Sequence, residues 1–208
     1  MASRALAFDL VSPERRGTVT AQLVSLIRAA GTHVGTGFLA TPYLLPVLAD
    51  NGELGLAYEL LMQDSEPSWL AMVDRGATTM WELWNGIDAD GNPHQSLNHY
   101  SKGAVVSFLH RYTAGLRQAP GSAGYERIII EPRPGAGLTS AATSHQGPQG
   151  LIEVEWMTAD GGLQLRAAVP AGTTAEVHLP GQPAAVVGPG QHHFTAPAAG
   201  GTTKNPSL

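Results

Sequence analysis

The sequence predicts a mixed, multidomain chain: helical hairpins through about residue 118, then an antiparallel β-sandwich. Three observations carry this. Apolar residues recur at helical spacing in the first part, as in Val19, Leu23, Leu26, Ile27 and Ala30. Composition changes at Gln118-Ala119-Pro120-Gly121-Ser122. Beyond that point short β-rich runs alternate with turns that contain Gly and Pro.

Ala2 to Val11 is a short apolar segment that reads as the inside of a helix, as if the chain began mid-domain. Ser12-Pro13-Glu14 is a helix start: Ser12 suits the cap, Pro13 the first helical position, and Glu14 the positive end of the helix dipole. The stripe that follows ends at Gly31. Thr41-Pro42 opens another capped helix, which stops at Asn51-Gly52 and which Pro46 should kink or delay. Leu54, Ala57, Tyr58 and Leu61 mark the next, and Pro67 opens a short one over Trp69 to Asp74. Asn85 to Leu97 is polar and aperiodic; Val105, Leu109, Tyr112 and Leu116 make the last stripe. That makes about six helical segments joined by alternating short and long connections, and helical hairpins of this kind are the unit of an (α/α) toroid.

The β-rich part spans residues 119–196. Its clearest runs are Arg127–Ile130, Leu151–Trp156, Leu163–Val169 and Ala175–Leu179. The second and fourth alternate apolar and polar residues, as half-buried strands do, and short strands at this spacing argue for a sandwich. The small, polar tail at 197–208 is expected to be disordered.

Composition narrows the function. Hydrophobic residues make up 43% of the chain, enough for a packed core. The formal charge is −5, with 12 Lys plus Arg and no basic run, which argues against nucleic-acid binding. Without cysteine there are no disulfides or thiolate metal sites. No stretch has the length of a membrane span and the start does not form a signal peptide, so a cytoplasmic location is favoured. No cofactor and no metal is called for. Asp88-Ala89-Asp90-Gly91-Asn92 begins like a calcium loop, but Pro93 and His99 stand where such a loop wants Gly and Glu, and an acidic turn is the better reading. The adjacent His192 and His193 would point to opposite faces of a strand, which disfavours a shared metal.

The most informative stretch is Gly76-Ala77-Thr78-Thr79-Met80-Trp81-Glu82-Leu83-Trp84. It sets one carboxylate between two indoles. Tryptophan faces stack on sugar rings, and a carboxylate beside them can activate water or stabilise an oxocarbenium ion. The competing reading makes Trp81 and Trp84 core residues of a short helix, with Glu82 on its solvent side.

The motifs resemble, in order, the C-terminal portion of bacterial α-L-rhamnosidases of glycoside hydrolase family 78. They are Thr36-Gly37-Phe38-Leu39 with Tyr43-Leu44-Leu45-Pro46, Pro67-Ser68-Trp69, the Gly76–Trp84 run, Ser96-Leu97-Asn98-His99-Tyr100 with Gly103-Ala104-Val105, and Gly124–Ile128 through Pro132-Arg133-Pro134-Gly135. The resemblance implies the second half of an (α/α)6 toroid at 1–118 and the family's C-terminal β-domain after it. It implies an inverting hydrolysis of terminal α-L-rhamnosyl groups, with Glu82 as general base and Trp81, Trp84 and His99 contacting the sugar. Donors expected to hold the Glu82 carboxylate ionised are the hydroxyls of Thr78 and Thr79 and the indole N–H of Trp81 or Trp84. For His99 the alternative is a helix-capping or core histidine, and Asn98 is an alternative cap. The family's general acid lies upstream in an Asp/Arg/Glu cluster, and no Asp-x-x-x-Arg-Asp-Glu pattern occurs here. The implied partners are a rhamnose-containing glycoside and a missing N-terminal part of the enzyme. The competing function is a non-catalytic carbohydrate-binding or partner-docking module.

Overall fold

The structure, a computed structural model, describes residues 2–159 and 161–197. The chain divides into two compact units, Met1–Phe108 and Leu109–Leu208.

The first unit is helical. Its elements are α1 (Ala2–Ala7), α2 (Pro13–Ala29), α3 (Thr41–Asp50), α4 (Leu54–Leu61), α5 (Trp69–Asp74), α6 (Tyr100–Gly103) and α7 (Val105–Phe108). The central element is α3, which packs on α1, α4, α6 and α7. It buries Leu44, Leu45, Val47, Leu48 and Ala49, and a helix apolar on most sides belongs inside. It runs unbroken through Pro46. By contrast α2 buries only Thr20, Leu23 and Ile27, and Leu26 of the expected stripe is exposed. The starts differ in detail from the sequence expectation. Ser12 makes no side-chain cap; its hydroxyl turns to the Glu14 carboxylate and holds that group below its usual pKa. Thr41 is the first residue of α3, and its Oγ1 donates back to Gly37 O at 3.1 Å. Ser68 does cap α5, accepting from Ala71 N–H at 3.1 Å. No helix among the described residues is long and apolar enough to cross a membrane.

The stripe from Val105 to Leu116 is not one helix. In the second unit, Leu109–Thr113 form a π-helical turn and Leu116 already lies in the first strand. Between them Gly115 takes φ +88°, which ends the helical path.

The second unit has strands β1 (Leu116–Gln118), β2 (Arg127–Ile130), β3 (Ser140–Gly147), β4 (Gly150–Ala159), β5 (Gly162–Val169), β6 (Thr174–Val177), β7 (Ala185–Val187) and β8 (Gly190–Pro197). They form two four-stranded sheets, ordered β1-β2-β6-β7 and β3-β4-β5-β8. Every pairing is antiparallel except β2 with β6, which is parallel. One core draws on both sheets: Ile128, Ile130 and Val177 from the first, Val154, Trp156 and Leu165 from the second. In β4, Ile152, Val154 and Trp156 point inward while Glu153 and Glu155 are exposed, which is the period-two pattern of a sandwich strand. Of the tail expected to be disordered, only Pro197 lies among the described residues, at the end of β8.

Candidate active site

The two motif segments of the helical unit lie side by side. Glu82 N–H donates to Ser96 O at 2.8 Å, and His99 N–H donates to Met80 O at 2.7 Å. Thr79 Oγ1 donates to Leu97 O at 2.5 Å. Neither Met80–Trp84 nor Ser96–His99 is helical, so the short-helix reading of Trp81 and Trp84 does not hold. The backbone instead takes its hydrogen bonds from the partner segment, which fixes their register.

Glu82 is half-buried. Ser96 N–H donates to its Oε2 at 3.2 Å. Oε1 takes no protein donor among the described residues. None of the expected donors Thr78, Thr79, Trp81 and Trp84 bonds this carboxylate among the described residues, and Thr79 Oγ1 is spent on Leu97 O. A carboxylate with one oxygen held by a main-chain N–H and the other open can accept a proton from water.

The two tryptophans part company. Trp81 is 2% exposed, and Gly86 lies so close that a Cβ there would stand 3.0 Å from Trp81 Cβ and Cε3. Its ring is core, and a sugar-stacking role for Trp81 finds no open face. Trp84 is half-buried, with its edge against Trp69 at 5.2 Å and 88°. On its face, 4.7 Å from the centroid, sits the Lys102 ammonium.

His99 is half-buried between two rings, Phe38 at 4.8 Å and Tyr100 at 5.0 Å. It is the N-cap of α6, and its Nδ1 accepts from Ser101 N–H at 3.3 Å. The capping alternative is therefore real, and Asn98 is not the cap. The cap also fixes the chemistry of the other nitrogen. With Nδ1 an acceptor, the neutral ring carries its proton on Nε2, which becomes a donor for a hydroxyl.

Sequence reasoning missed Lys102, which is 3% exposed. Its Nζ donates to the Glu82 carbonyl oxygen, and the Phe38 ring centroid is 5.7 Å away. Burial pushes the ammonium below the usual lysine range, opposed by the Glu82 charge. Phe38, Trp69 and Tyr100 were visible only as members of motifs; the fold brings Phe38 and Trp69 beside Lys102.

The other candidates stand apart. Asp88 is an acidic turn: its Oδ1 accepts from the N–H of Asn92 at 2.8 Å and of Asp90 at 3.0 Å, and its Oδ2 is 2.9 Å from His94 Nε2. These bonds, the Asn92 N–H first, hold its carboxyl at about 2. His192 Nε2 lies 2.8 Å from Gly188 O, while His193 is exposed on the opposite face of β8.

Residues 2–113 match the bacterial alpha-L-rhamnosidase 6 hairpin glycosidase domain. The chain belongs to the bacterial α-L-rhamnosidase family. Residues 115–194 match the bacterial alpha-L-rhamnosidase C-terminal domain. An α-L-rhamnosidase of Streptomyces avermitilis is 43% identical over 179 residues, covering 84% of this chain and 17% of its own length. One from Formosa agariphila is 43% identical over 180 residues, covering 85% and 19% respectively. The crystal structure of the Streptomyces avermitilis α-L-rhamnosidase complexed with L-rhamnose superposes with a TM-score of 0.87 at 38% identity, over 94% of this chain and 21% of that one. The native α-L-rhamnosidase from Aspergillus terreus gives 0.87 at 36% identity, over 94% and 23%. The chain thus spans about a fifth of these rhamnosidases. The helical unit is a partial six-hairpin toroid, and the two sheets are the rhamnosidase C-terminal β-domain.

Proposed function

We propose that the chain forms the water-activating side of an inverting α-L-rhamnosidase site, with Glu82 as general base, acting on terminal α-L-rhamnosyl groups of glycosides. The observation that carries this reading is the state of the Glu82 carboxylate, with Oε2 held by Ser96 N–H and no protein donor on Oε1 among the described residues. Oε1 takes a proton from a water as that water attacks the anomeric carbon. The leaving oxygen takes its proton from a second carboxyl group about 6.5–9.5 Å away, on the opposite face of the sugar. None of the 17 acidic residues of the chain is assigned that role, and we place it in sequence outside these 208 residues. His99 Nε2–H donates to a sugar hydroxyl, and the open part of Trp84 meets the apolar face of the ring. The β-sandwich unit serves as scaffold. The sugar named in the Streptomyces avermitilis complex supports this choice of substrate.

The test is a chimera in which residues 2–194 replace the matching segment of the Streptomyces avermitilis enzyme. With p-nitrophenyl α-L-rhamnoside, Glu82→Gln should lower kcat by about 10²–10⁴-fold, the usual loss for a general base. KM should move less, because Glu82 acts on water in the transition state. The first sugar product seen by NMR should be the β-anomer. Full activity of Glu82→Gln would remove Glu82 from the mechanism. The 208-residue chain alone should give no turnover, and turnover by it would overturn the half-site.

A further inference from the structure

The chain has only two lysines, Lys102 and Lys204, against ten arginines. One of the two is buried at the candidate site. Burying an ammonium is expensive unless its donors and charge are used, and a leucine or methionine would fill the same space at lower cost. No salt bridge to Lys102 is seen among the described residues, so the compensation must come from what it touches. One donor goes to the Glu82 carbonyl oxygen. The charge faces the rings of Trp84 at 4.7 Å and Phe38 at 5.7 Å, and a cation over an indole face is attracted by its quadrupole. The backbone of the same residue is gripped too, since Trp69 Nε1–H donates to Lys102 O at 3.0 Å. Trp69 in turn meets Trp84 edge-on.

These contacts make a closed clamp. Glu82 N–H is bound by Ser96 O, its Oε2 by Ser96 N–H, and its C=O by Lys102 Nζ. Both backbone polar groups of Glu82 and one carboxylate oxygen are thus tied to a single stretch, Ser96–Lys102. An uncharged side chain of the same length would leave the Glu82 carbonyl without its donor and Trp84 without the cation on its face.

We propose that Lys102 is a positioning residue of this site: its ammonium anchors the main chain of Glu82 and the indole of Trp84, and so sets where the carboxylate stands. The inference rests on the reading of Glu82 as general base.

Two measurements test it. In the full chain labelled with ¹³Cε-lysine, NMR should give two ε-carbon signals. That of Lys102 should be ring-current shifted by Trp84 and Phe38, and should titrate at lower pH than the lysines of the urea-unfolded chain. Glu82→Gln should move the Lys102 midpoint further down, because the Glu82 charge favours the ammonium. A Lys102 midpoint equal to that of lysine in the urea-unfolded chain, or one indifferent to Glu82→Gln, would overturn the inference.

In the chimera, Lys102→Met should lower kcat by roughly 10–100-fold with KM held within about threefold, as expected when a reacting group is misplaced. Combined with Glu82→Gln it should cost almost nothing more, since its effect runs through Glu82. Unchanged kcat, or losses that multiply in the double variant, would sink the positioning role even if Glu82→Gln alone is crippled. Full activity of Glu82→Gln would instead overturn both readings. If Lys102→Met lacks a cooperative melt, Lys102→Gln, which keeps a donor on a shorter stem, is put through the same cycle.

Discussion

Gly115→Ala should be among the most damaging single-methyl changes in the β-sandwich unit. Gly115 takes φ +88°, and a Cβ built there would stand 2.3 Å from Pro132 N, 2.5 Å from Glu131 C and 2.6 Å from Pro132 Cα. All three are backbone atoms, so no side-chain rotation relieves the clash. The same residue accepts Glu131 N–H at 2.8 Å, which begins the β1–β2 register that continues as Leu116 opposite Ile130. The left-handed backbone costs a non-glycine residue about 1–2 kcal/mol. Forced overpacking adds about 1–3 kcal/mol, for a total of about 2–5 kcal/mol. Gly137 is the internal control: it has φ +73°, and a Cβ there meets nothing within 4 Å. Gly137→Ala should carry the backbone cost alone, about 1–2 kcal/mol. With a urea slope of about 1–3 kcal/mol/M, the two variants should melt on the order of 1 M apart. Trp156 is the one tryptophan after residue 108 and is 0% exposed. Its ¹⁹F signal in fluorotryptophan-labelled chain therefore reports this unit alone. Equal urea midpoints for Gly115→Ala and Gly137→Ala would refute the argument that strand-to-strand backbone contact, not φ alone, demands glycine there.

Two further outcomes follow from particular contacts. Gly86→Ala in the chimera should lower kcat by about 10-fold or more, because its methyl pushes on Trp81 at 3.0 Å, next in the chain to Glu82, and small misplacements of a reacting group are costly; a kcat equal to that of the parent would show that Trp81 does not transmit the shift. His110 is held below its usual pKa by burial first and then by His145 and Arg111, while its Nδ1 lies 2.7 Å from Thr143 Oγ1. In the unfolded chain it titrates near 6.5, so as pH falls below about 6.5 the unfolded state binds the proton first and the folded state loses stability. The Trp156-reported urea midpoint should therefore fall between pH 7.5 and pH 5, and His110→Gln should flatten that fall; an unchanged slope would assign the effect elsewhere.

How much was legible in the sequence follows a physical line. In the sandwich, the four runs read from the sequence became β2, β4, β5 and β6. These are the four interior strands, and the four strands it did not mark, β1, β3, β7 and β8, are the four edges. An interior strand lies between two neighbours and faces the core, so its sequence carries apolar alternation, as Ile152, Val154 and Trp156 do. An edge strand has one neighbour and less to bury. In β3, Ser140–Gly147, no residue is fully buried, and its residues are small or polar. A helix start was legible at Pro67-Ser68, where Ser68 caps α5. A helix end was not legible at Leu109–Thr113, where apolar spacing continues through a change of helix type and into a strand. In the candidate site, Glu82 and His99 announced themselves through neighbouring residues. Lys102 did not, because its partners lie 20 residues away at Glu82, 18 at Trp84 and 64 at Phe38, separations that follow only from the numbering of the folded contacts. Trp81 was misread for the complementary reason: an aromatic beside a carboxylate looks the same in sequence whether its face is open or covered by Gly86.

The division of the site proposed above has a structural counterpart. In an inverting mechanism acid and base stand about 6.5–9.5 Å apart and act on opposite faces of the sugar, so they need a common frame but no contact with each other. On the proposed reading, the base side is fixed within the helical unit. Ser96 holds the Glu82 N–H and Oε2, Lys102 holds its carbonyl, and Trp69 holds Lys102. None of these bonds requires a group from the acid side. The Glu82 carboxylate is therefore oriented by the chain's own bonds, and in the proposed role that preorganisation would let it act without first spending binding energy on its own alignment. On this reasoning, replacing Ser96 by proline, which removes the N–H bonded to Oε2, should weaken catalysis through kcat while leaving sugar affinity at His99 and Trp84 largely intact.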